Sequence, residues 1–460
     1  MLPPIPQVLP VVTVQPTLGE VLHEVQEGII PFERVWISCY KTSETSVHGK
    51  FIAVLDDVDR DLVTLSKEEP GIEFDFIGNG KHGHEFKASC PSLGIPETKI
   101  LLPSQEYNKL DRTNTKRPQP ITAFDVSPDV SRFAVGYGDG SIFVYPTSSI
   151  PGKPSFLQHK PPASQSKVSA RPHVSEVTTL KFFPSSRVLL TGGLDFSLSI
   201  VSAELPDPAP NAEPQKVEPV RTFRGHSRSV TGTAILGPGR NFLSSSADST
   251  VKLWDAPSGT TINTIFASSR SPILSISLGS RLSRYGDATT ATHRDEREAQ
   301  EVADKGVFCG LGNGTFELLD LSTKSSVYQS PTTSTAPISS IAYSSNIHLL
   351  ATGAGNGVVT IYDVRSLDQP LTSFVRQEGG ITDMAFLSSS RGPGDFGLAI
   401  ATSDGLPFAT RLGPDGSFVV DELVGVDCDP VRSVRVRNQA DGDEVWLASD
   451  DGVVRRYRHT

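Results

Sequence analysis

One hairpin is written seven times along this chain, and a chain that repeats one small unit has few ways to bury it. The copies are FAVGYGDGSIFVYP, LLTGGLDFSLSIVS, FLSSSADSTVKLWD, VFCGLGNGTFELLD, LLATGAGNGVVTIYD, LAIATSDGLPFATR and VWLASDDGVVRRYR. Each joins two β-prone runs through a polar turn, marked by Asp139, Asp195, Asp248, Asn313, Asn356, Asp404 or Asp451. Five of these seven markers are followed by glycine: Gly140, Gly314, Gly357, Gly405 and Gly452. Asp-Gly and Asn-Gly reach positive φ at little cost, which predicts a two-residue hairpin turn whose twist matches its strands.

A further β-prone run precedes every copy, from ITAFDVSP at 121 to VRSVRVR at 431. A fourth follows several of them, as in TINTIF at 261–266 and SFVVDELV at 417–424. Successive turn markers lie 43 to 65 residues apart. Four strands at that period predict propeller blades. An isolated four-stranded sheet leaves both faces in water, whereas sheets packed face to face around an axis bury both. The expected fold class is therefore all-β: a seven-bladed β-propeller over 98–460, preceded by a small β-rich N-terminal domain over 1–97. The seventh copy ends after three strands, so its outer strand has to come from upstream, either TKILLPS at 98–104 or another strand ahead of the first blade.

The third copy carries the most detail. RGHSRSV followed by SSSADSTVKLWD places Gly225-His226, Asp248 and Trp254-Asp255 at separations that resemble the WD-repeat family. The resemblance implies a buried hydrogen-bonded network of His226, a serine drawn from Ser244 and Ser246, Asp248 and Trp254. His173 and Asp195 repeat the 22-residue offset between His226 and Asp248, which implies a partial network in the second blade. A Ser-His-Asp catalytic reading of the same residues fails on context. The spacing belongs to a structural repeat, and neither a nucleophile elbow nor an oxyanion motif accompanies it.

Outside the repeat, RVWISCYK, KFIAVLDD, DLVTLSK and IEFDFIG read as four strands between polar or Gly/Pro turns. His82 and His84 stand in GNGKHGHEFK without further Cys or His beside them, so a solvated loop is expected there and no metal site. The stretches 146–172, 203–219 and 280–304, rich in polar residues, are expected to be mobile surface loops. A net charge of -10 argues against a nucleic-acid partner, and the basic end with Arg455, Arg456 and Arg458 reads as solvated arginines on an outward strand. Cys39, Cys90, Cys309 and Cys428 have no paired spacing, so neither a disulfide framework nor a zinc site is indicated. The proline-broken start lacks a positive n-region, and no apolar run reaches about 18 residues. An intracellular protein, cytoplasmic and nuclear and without a membrane partner, is the expectation. Each Gly-Lys is followed by Phe51, His82 or Pro154 where a phosphate-binding loop needs Ser or Thr, HEVQE at 23–27 lacks a second histidine, and Gly-x-Ser-x-Gly is absent. A non-enzyme with no cofactor follows.

A partner would meet the rigid face made by the hairpin turns and the loops entering the inner strands. On it, blades six and seven are expected to present Glu378, Asp383, Asp404, Asp427, Asp429, Asp450 and Asp451. Like charges so crowded steer a Lys/Arg-rich surface toward them. The whole plan, together with the third-blade text RTFRGHSRSVTGTAILGPGRNFLSSSADSTVKLWDAPSGTTINTI, resembles the proteasomal ATPase-associated factor family. The resemblance implies a chaperone for assembly of the 19S regulatory particle of the proteasome. Such a chaperone holds the C-terminal domain of a base ATPase subunit and delays its docking on the core particle, with other assembly chaperones as further partners. A second resemblance points elsewhere. Tyr362-Asp363-Val364-Arg365 is similar to the box by which WD-repeat substrate receptors dock on the cullin-4 ubiquitin ligase adaptor, with Asn356 where that box usually has Asp. A general protein-protein interaction scaffold is the third reading that the fold permits.

Overall fold

The computed structural model describes residues 5–58, 62–77, 85–108, 118–148, 167–207, 215–282, 284–285, 295–332, 334–388, 396–412, 416, 418–439 and 442–459. Seven antiparallel sheets are built on the seven hairpins, and the run ahead of each hairpin forms one edge of its sheet. These first strands are Ile121–Val126, Val177–Phe182, Val230–Leu236, Ile273–Ser280, Ile338–Ser344, Ile381–Leu387 and Val431–Gln439. Each packs against the next, and the last against the first, so the sheets are the blades of a closed ring. The first strands surround a polar channel of about 570 Å³.

Neighbouring blades are held by two devices that recur with the sequence repeat. The second strand carries a small residue on which the β-branched head of the next inner strand sits. A Cβ on Gly136 would stand 2.8 Å from Val177 Cβ, on Gly192 2.7 Å from Val230 Cγ1, and on Gly353 2.5 Å from Ile381 Cγ2. Close-packed interiors have no slack for that extra carbon. The other device is a hydroxyl one residue after the head, which crosses the same seam. Thr122 Oγ1 donates to the Val177 carbonyl and Thr178 Oγ1 to the Val230 carbonyl, both at 2.7 Å. Ser339 and Thr382 do the same to Ile381 and Val431.

The turns differ from the two-residue form that the Asp-Gly pairs predict. Only the residue after the marker has a positive φ: 86° at Gly140, 82° at Gly314, 81° at Gly357, 76° at Gly405 and 76° at Gly452. Phe196 and Ser249 adopt 69° and 68° at the same place, where glycine is missing. The Gly140 N–H bonds the Tyr137 carbonyl and the Tyr137 N–H bonds the Ser141 carbonyl, a type I turn closed by a left-handed residue. The marker itself acts through its side chain. In all seven turns its Oδ1 accepts the N–H two residues on, from Ser141, Ser197, Thr250, Thr315, Val358, Leu406 and Val453. In blades four and five glycine is favoured twice over, because a Cβ on Gly314 or Gly357 would also lie 2.1 Å from the Ser334 or Gln377 carbonyl oxygen of the next blade.

Gln105–Tyr107, rather than 98–104, is the strand that completes blade seven, lying antiparallel on Val454–His459. Tyr107 bridges the ring's seam, with Phe133 of blade one 4.8 Å and Trp446 of blade seven 6.0 Å from its ring centroid. This added strand covers Arg455 and Arg456, which are therefore 6% and 7% exposed rather than solvated. Arg456 bonds Gln105 and Glu444 and lies over the Trp446 ring, while Arg455 pairs with Glu106 and Asp451. Arg458 is exposed. A buried ion cluster crosses the same seam: Asp125 of blade one bonds Arg435 at 3.0 Å and Arg437 at 3.4 Å. Burial alone would raise the Asp125 carboxyl, but Lys181, Arg437, Arg435 and the Phe182 N–H outweigh it and hold the group below the usual carboxylate range.

The upstream region is woven into the ring. Val11–Val14, Phe32–Tyr40, Val47–Leu55 and Val63–Lys67 form one sheet. Against its strands packs the helix Leu18–Gln26, which buries Leu18, Val21, Leu22 and Val25. Glu73–Phe76, Glu85–Cys90 and Ile95–Leu101 extend blade six to seven strands, so the 97/98 boundary falls inside a strand. Gln7–Val8 adds a parallel strand to blade five. The described parts of the polar stretches are also built in. Val168–Ala170 is the fourth strand of blade one, Gln215–Lys216 lies parallel to it, and the Ala299 N–H bonds Asn241 Oδ1 with Val302 fully buried nearby. His82 and His84 lie outside the described residues.

Thr178→Val removes one hydroxyl from a blade seam at nearly constant volume and is expected to cost about 1 kcal/mol in urea unfolding, with Thr178→Ser close to the parent. Asp125→Ala leaves Arg435 and Arg437 without their shared carboxylate in the closing seam and is expected to cost about 3 kcal/mol by the same measurement.

Candidate partner-binding face

Each blade's entry loop and hairpin turn meet on one side of the ring, and in blades two and three a histidine ties them together. His226 in the entry loop of blade three is bonded through Nδ1 to Asp248 at 2.9 Å and through Nε2 to Ser244 Oγ at 2.7 Å. Trp254 Nε1 donates to the same Ser244 oxygen at 2.8 Å. The network thus runs from turn to entry loop to second strand to third strand. Ser246 is outside it, donating to the Arg228 carbonyl and accepting the Asp248 N–H. Burial alone would raise the Asp248 carboxyl, but bonds from His226, Thr250 and the Ser227 N–H hold it far below the usual carboxylate range.

Blade two has a shorter version. His173 is bonded to Asp195 at 3.0 Å and to Thr191 at 2.8 Å, with Val201 at the place of the tryptophan. Burial pushes the His173 ring below its usual range, and Asp195 only partly offsets this. The aspartates act as turn caps and histidine partners. His226 and Ser244 sit inside a buried network with every reactive atom already bonded.

The acidic residues of blades six and seven divide into two groups. Asp383 is on the channel wall rather than on the rim, bonded to Arg435 and to the Val434 N–H. Asp450 is clamped by Arg432 at 2.8 Å, and Asp451 pairs with Arg455 at 2.7 Å and caps its own turn. Glu378, Asp404, Asp427 and Asp429 have no ion pair among the described residues. They are brought together by close backbone contact. A Cβ on Gly379 would stand 2.4 Å from Asp404 Oδ2, and one on Gly405 would stand 2.5 Å from the Cys428 carbonyl carbon. Loop, turn, loop and turn therefore form a continuous acidic strip across the two blades. Burial and the neighbouring charges of Asp451, Asp450 and Asp427 raise the Asp429 carboxyl. Such a strip attracts a cationic surface.

Tyr362 is only 7% exposed, and Arg365 reaches out into solvent with its guanidinium forked onto Asp363 at 2.6 and 2.9 Å. A docking adaptor would have to compete with Asp363 for it. The pairing of Arg432 and Arg455 with the acidic residues went unread in the sequence, although Arg455 follows Asp451 by four positions. Both arginines lie in stretches read as strands, and the pairing of the first two strands of blade seven brings Arg432 to Asp450.

The profile of the family described as WD domain, G-beta repeat matches residues 165–202 and 217–255. The 26S proteasome regulatory subunit RPN14 of Saccharomyces cerevisiae is 32% identical over 211 residues, 45% of this chain and 48% of its own. Human striatin-3 is 34% identical over 92 residues, 20% of this chain and 12% of its own. Ribosome biogenesis protein YTM1 of Laccaria bicolor is 26% identical over 233 residues, 46% of this chain and 47% of its own. The chain thus spans less than half the length of each of these relatives. The protein is an all-β propeller that carries WD repeats. The matched stretches begin ahead of the fourth strand of one blade and end on the third strand of the next, the same offset that leaves blade seven short of a strand.

The two histidine networks give stability a defined pH course. Folded His173 holds its proton less tightly than the unfolded chain does, so its contribution is complete above the ordinary histidine value of about 6.5 and is lost as pH falls below it. Asp248, depressed in the fold, contributes above the unfolded carboxylate value of about 4 and loses that contribution only in stronger acid. The urea midpoint is expected to decline from pH 7 to 5 and to fall again below pH 4. His173→Gln removes the first decline and Asp248→Asn diminishes the second, each from a lower starting stability.

Proposed function

We propose that this protein is a non-enzymatic assembly chaperone of the 26S proteasome regulatory particle, and that it holds the C-terminal domain of a base ATPase subunit against the face of blades six and seven. The observation that carries this reading is the 32% identity to RPN14, by name a regulatory subunit of the 26S proteasome. The acidic strip supports it. Glu378, Asp404, Asp427 and Asp429 offer a fixed negative surface to a basic helical domain, and the clamped Asp450 and Asp451 hold that surface in shape. Other assembly chaperones are further partners, and the cytoplasm and nucleus are the proposed sites of action. Binding of this kind needs no cofactor.

The test is capture of isolated base ATPase C-terminal domains by the purified chain. Glu378→Lys together with Asp429→Lys is expected to weaken capture about tenfold, on the order of 1.4 kcal/mol, without lowering the melting temperature, because both residues lie on the rim. Binding by the parent should decline as salt rises, and the double variant should lose most of that salt dependence. Recovery of no proteasomal ATPase from lysate by the parent chain would sink the reading.

A further inference from the structure

We propose that blade five contains a binding pocket for a neutral aromatic ring with one hydrogen-bonding edge, formed where the repeat lacks its histidine. In blade three the His226 ring fills the space between entry loop and second strand. Moving 108 residues along the sequence gives the matching positions in blade five: Ser334 for His226, Thr352 for Ser244, Asn356 for Asp248, Val358 for Thr250 and Tyr362 for Trp254. The strand registers agree, since Leu350 faces Tyr362 as Phe242 faces Trp254. With serine in place of the imidazole, a cavity of about 230 Å³ opens beside blade four, and all five of these residues line it.

The walls select the occupant. Phe316, Ile338, Val358 and Pro370 are apolar, and no charged side chain lines the cavity among the described residues. An ion entering it would lose hydration without gaining a partner. Tyr362 is 7% exposed, and its hydroxyl has no hydrogen-bond partner among the described residues. Burial pushes that hydroxyl up to about 12, so it enters any interaction as a neutral donor. Thr352 is 5% exposed, and among the described residues its hydroxyl reaches only the Thr360 carbonyl, at 3.4 Å. Tyr362 lines the cavity, and an occupant that accepts its hydroxyl hydrogen makes a bond that the described residues do not supply. The Phe316 ring stands 5.0 Å from the Tyr362 ring at 63°, which supplies an aromatic wall. An apolar cavity of about 150 Å³ already admits benzene, so the present one has room for a single ring with a polar substituent and none for a helix. The ring is either a histidine or tyrosine side chain of a partner protein or a free small aromatic molecule, and the two share this chemistry.

Phenol and benzene titrated into the full chain, followed by ligand-observed NMR, test the pocket. Phenol is expected to bind saturably to the parent. Tyr362→Phe should weaken phenol about tenfold and leave benzene unchanged, a split that a general loosening of the blade would not produce. Ser334→His, which refills the space from within, should abolish binding of both and raise the melting temperature. If that variant folds poorly, the phenol-to-benzene split in Tyr362→Phe decides alone. No saturable binding of phenol to the parent, or equal binding of phenol by parent and Tyr362→Phe, overturns the pocket. Native mass spectrometry of the purified chain separates the sources. A retained small aromatic mass assigns the ring to a free ligand, and a bare chain that still binds phenol assigns it to a partner's side chain.

Discussion

A β-branched side chain at the head of an inner strand sits where a Cβ on the preceding blade would collide, and a hydroxyl beside it crosses the same seam. Val177 on Gly136, Val230 on Gly192 and Ile381 on Gly353 are three instances of one contact. A single sheet of four strands cannot bury either face, so each blade's stability resides in these seams rather than in the blade itself. The consequence is cooperativity around the ring. It is also rigidity on the face above, because the turns that carry the acidic residues are pinned to the entry loops of the next blade by the same close approach.

The seam between blades seven and one is built differently. It is closed by a borrowed strand, Gln105–Tyr107, by the Tyr107, Phe133 and Trp446 rings, and by Asp125 between two arginines. Upstream of that strand, the region that adds strands to blade six also reaches blades five and six through the Val12 N–H on Glu422, which Arg376 neutralises. The ring therefore needs its N-terminal region to be complete, and the acidic strip of blades six and seven lies next to the part that region buttresses.

Degeneracy of the repeat has physical consequences in this molecule. Blades two and three spend their histidines on locking turn to strand. Blade five has serine at that place and keeps the space instead, with Tyr362 left facing it. In blade seven the entry loop carries Asp427 and Asp429, and the charge that would have been absorbed inside a network stands on the surface. The same position in the repeat thus yields a lock, a cavity or an acidic rim according to the side chain it holds.

Sequence alone determined whatever depends on residues close together along the chain. The turn markers cap an N–H two residues away, the small residues recur in every second strand, and the His226 to Asp248 offset repeats in blade two, so the blade count and both networks were legible. The type of turn was misjudged because Asp-Gly serves two turn geometries, and only the backbone φ of the preceding residue separates them. Tertiary structure decided the rest. Arg455 and Arg456 are buried because a strand some 350 positions earlier lies on them, and Asp383 faces the channel because Arg435 stands across from it. Of the seven acidic residues, four remain uncommitted, a division set by arginines of blade seven that strand pairing within the blade and packing on blade six bring to the other three. Contacts of that kind are fixed by how strands pair and how the sheets meet around the axis.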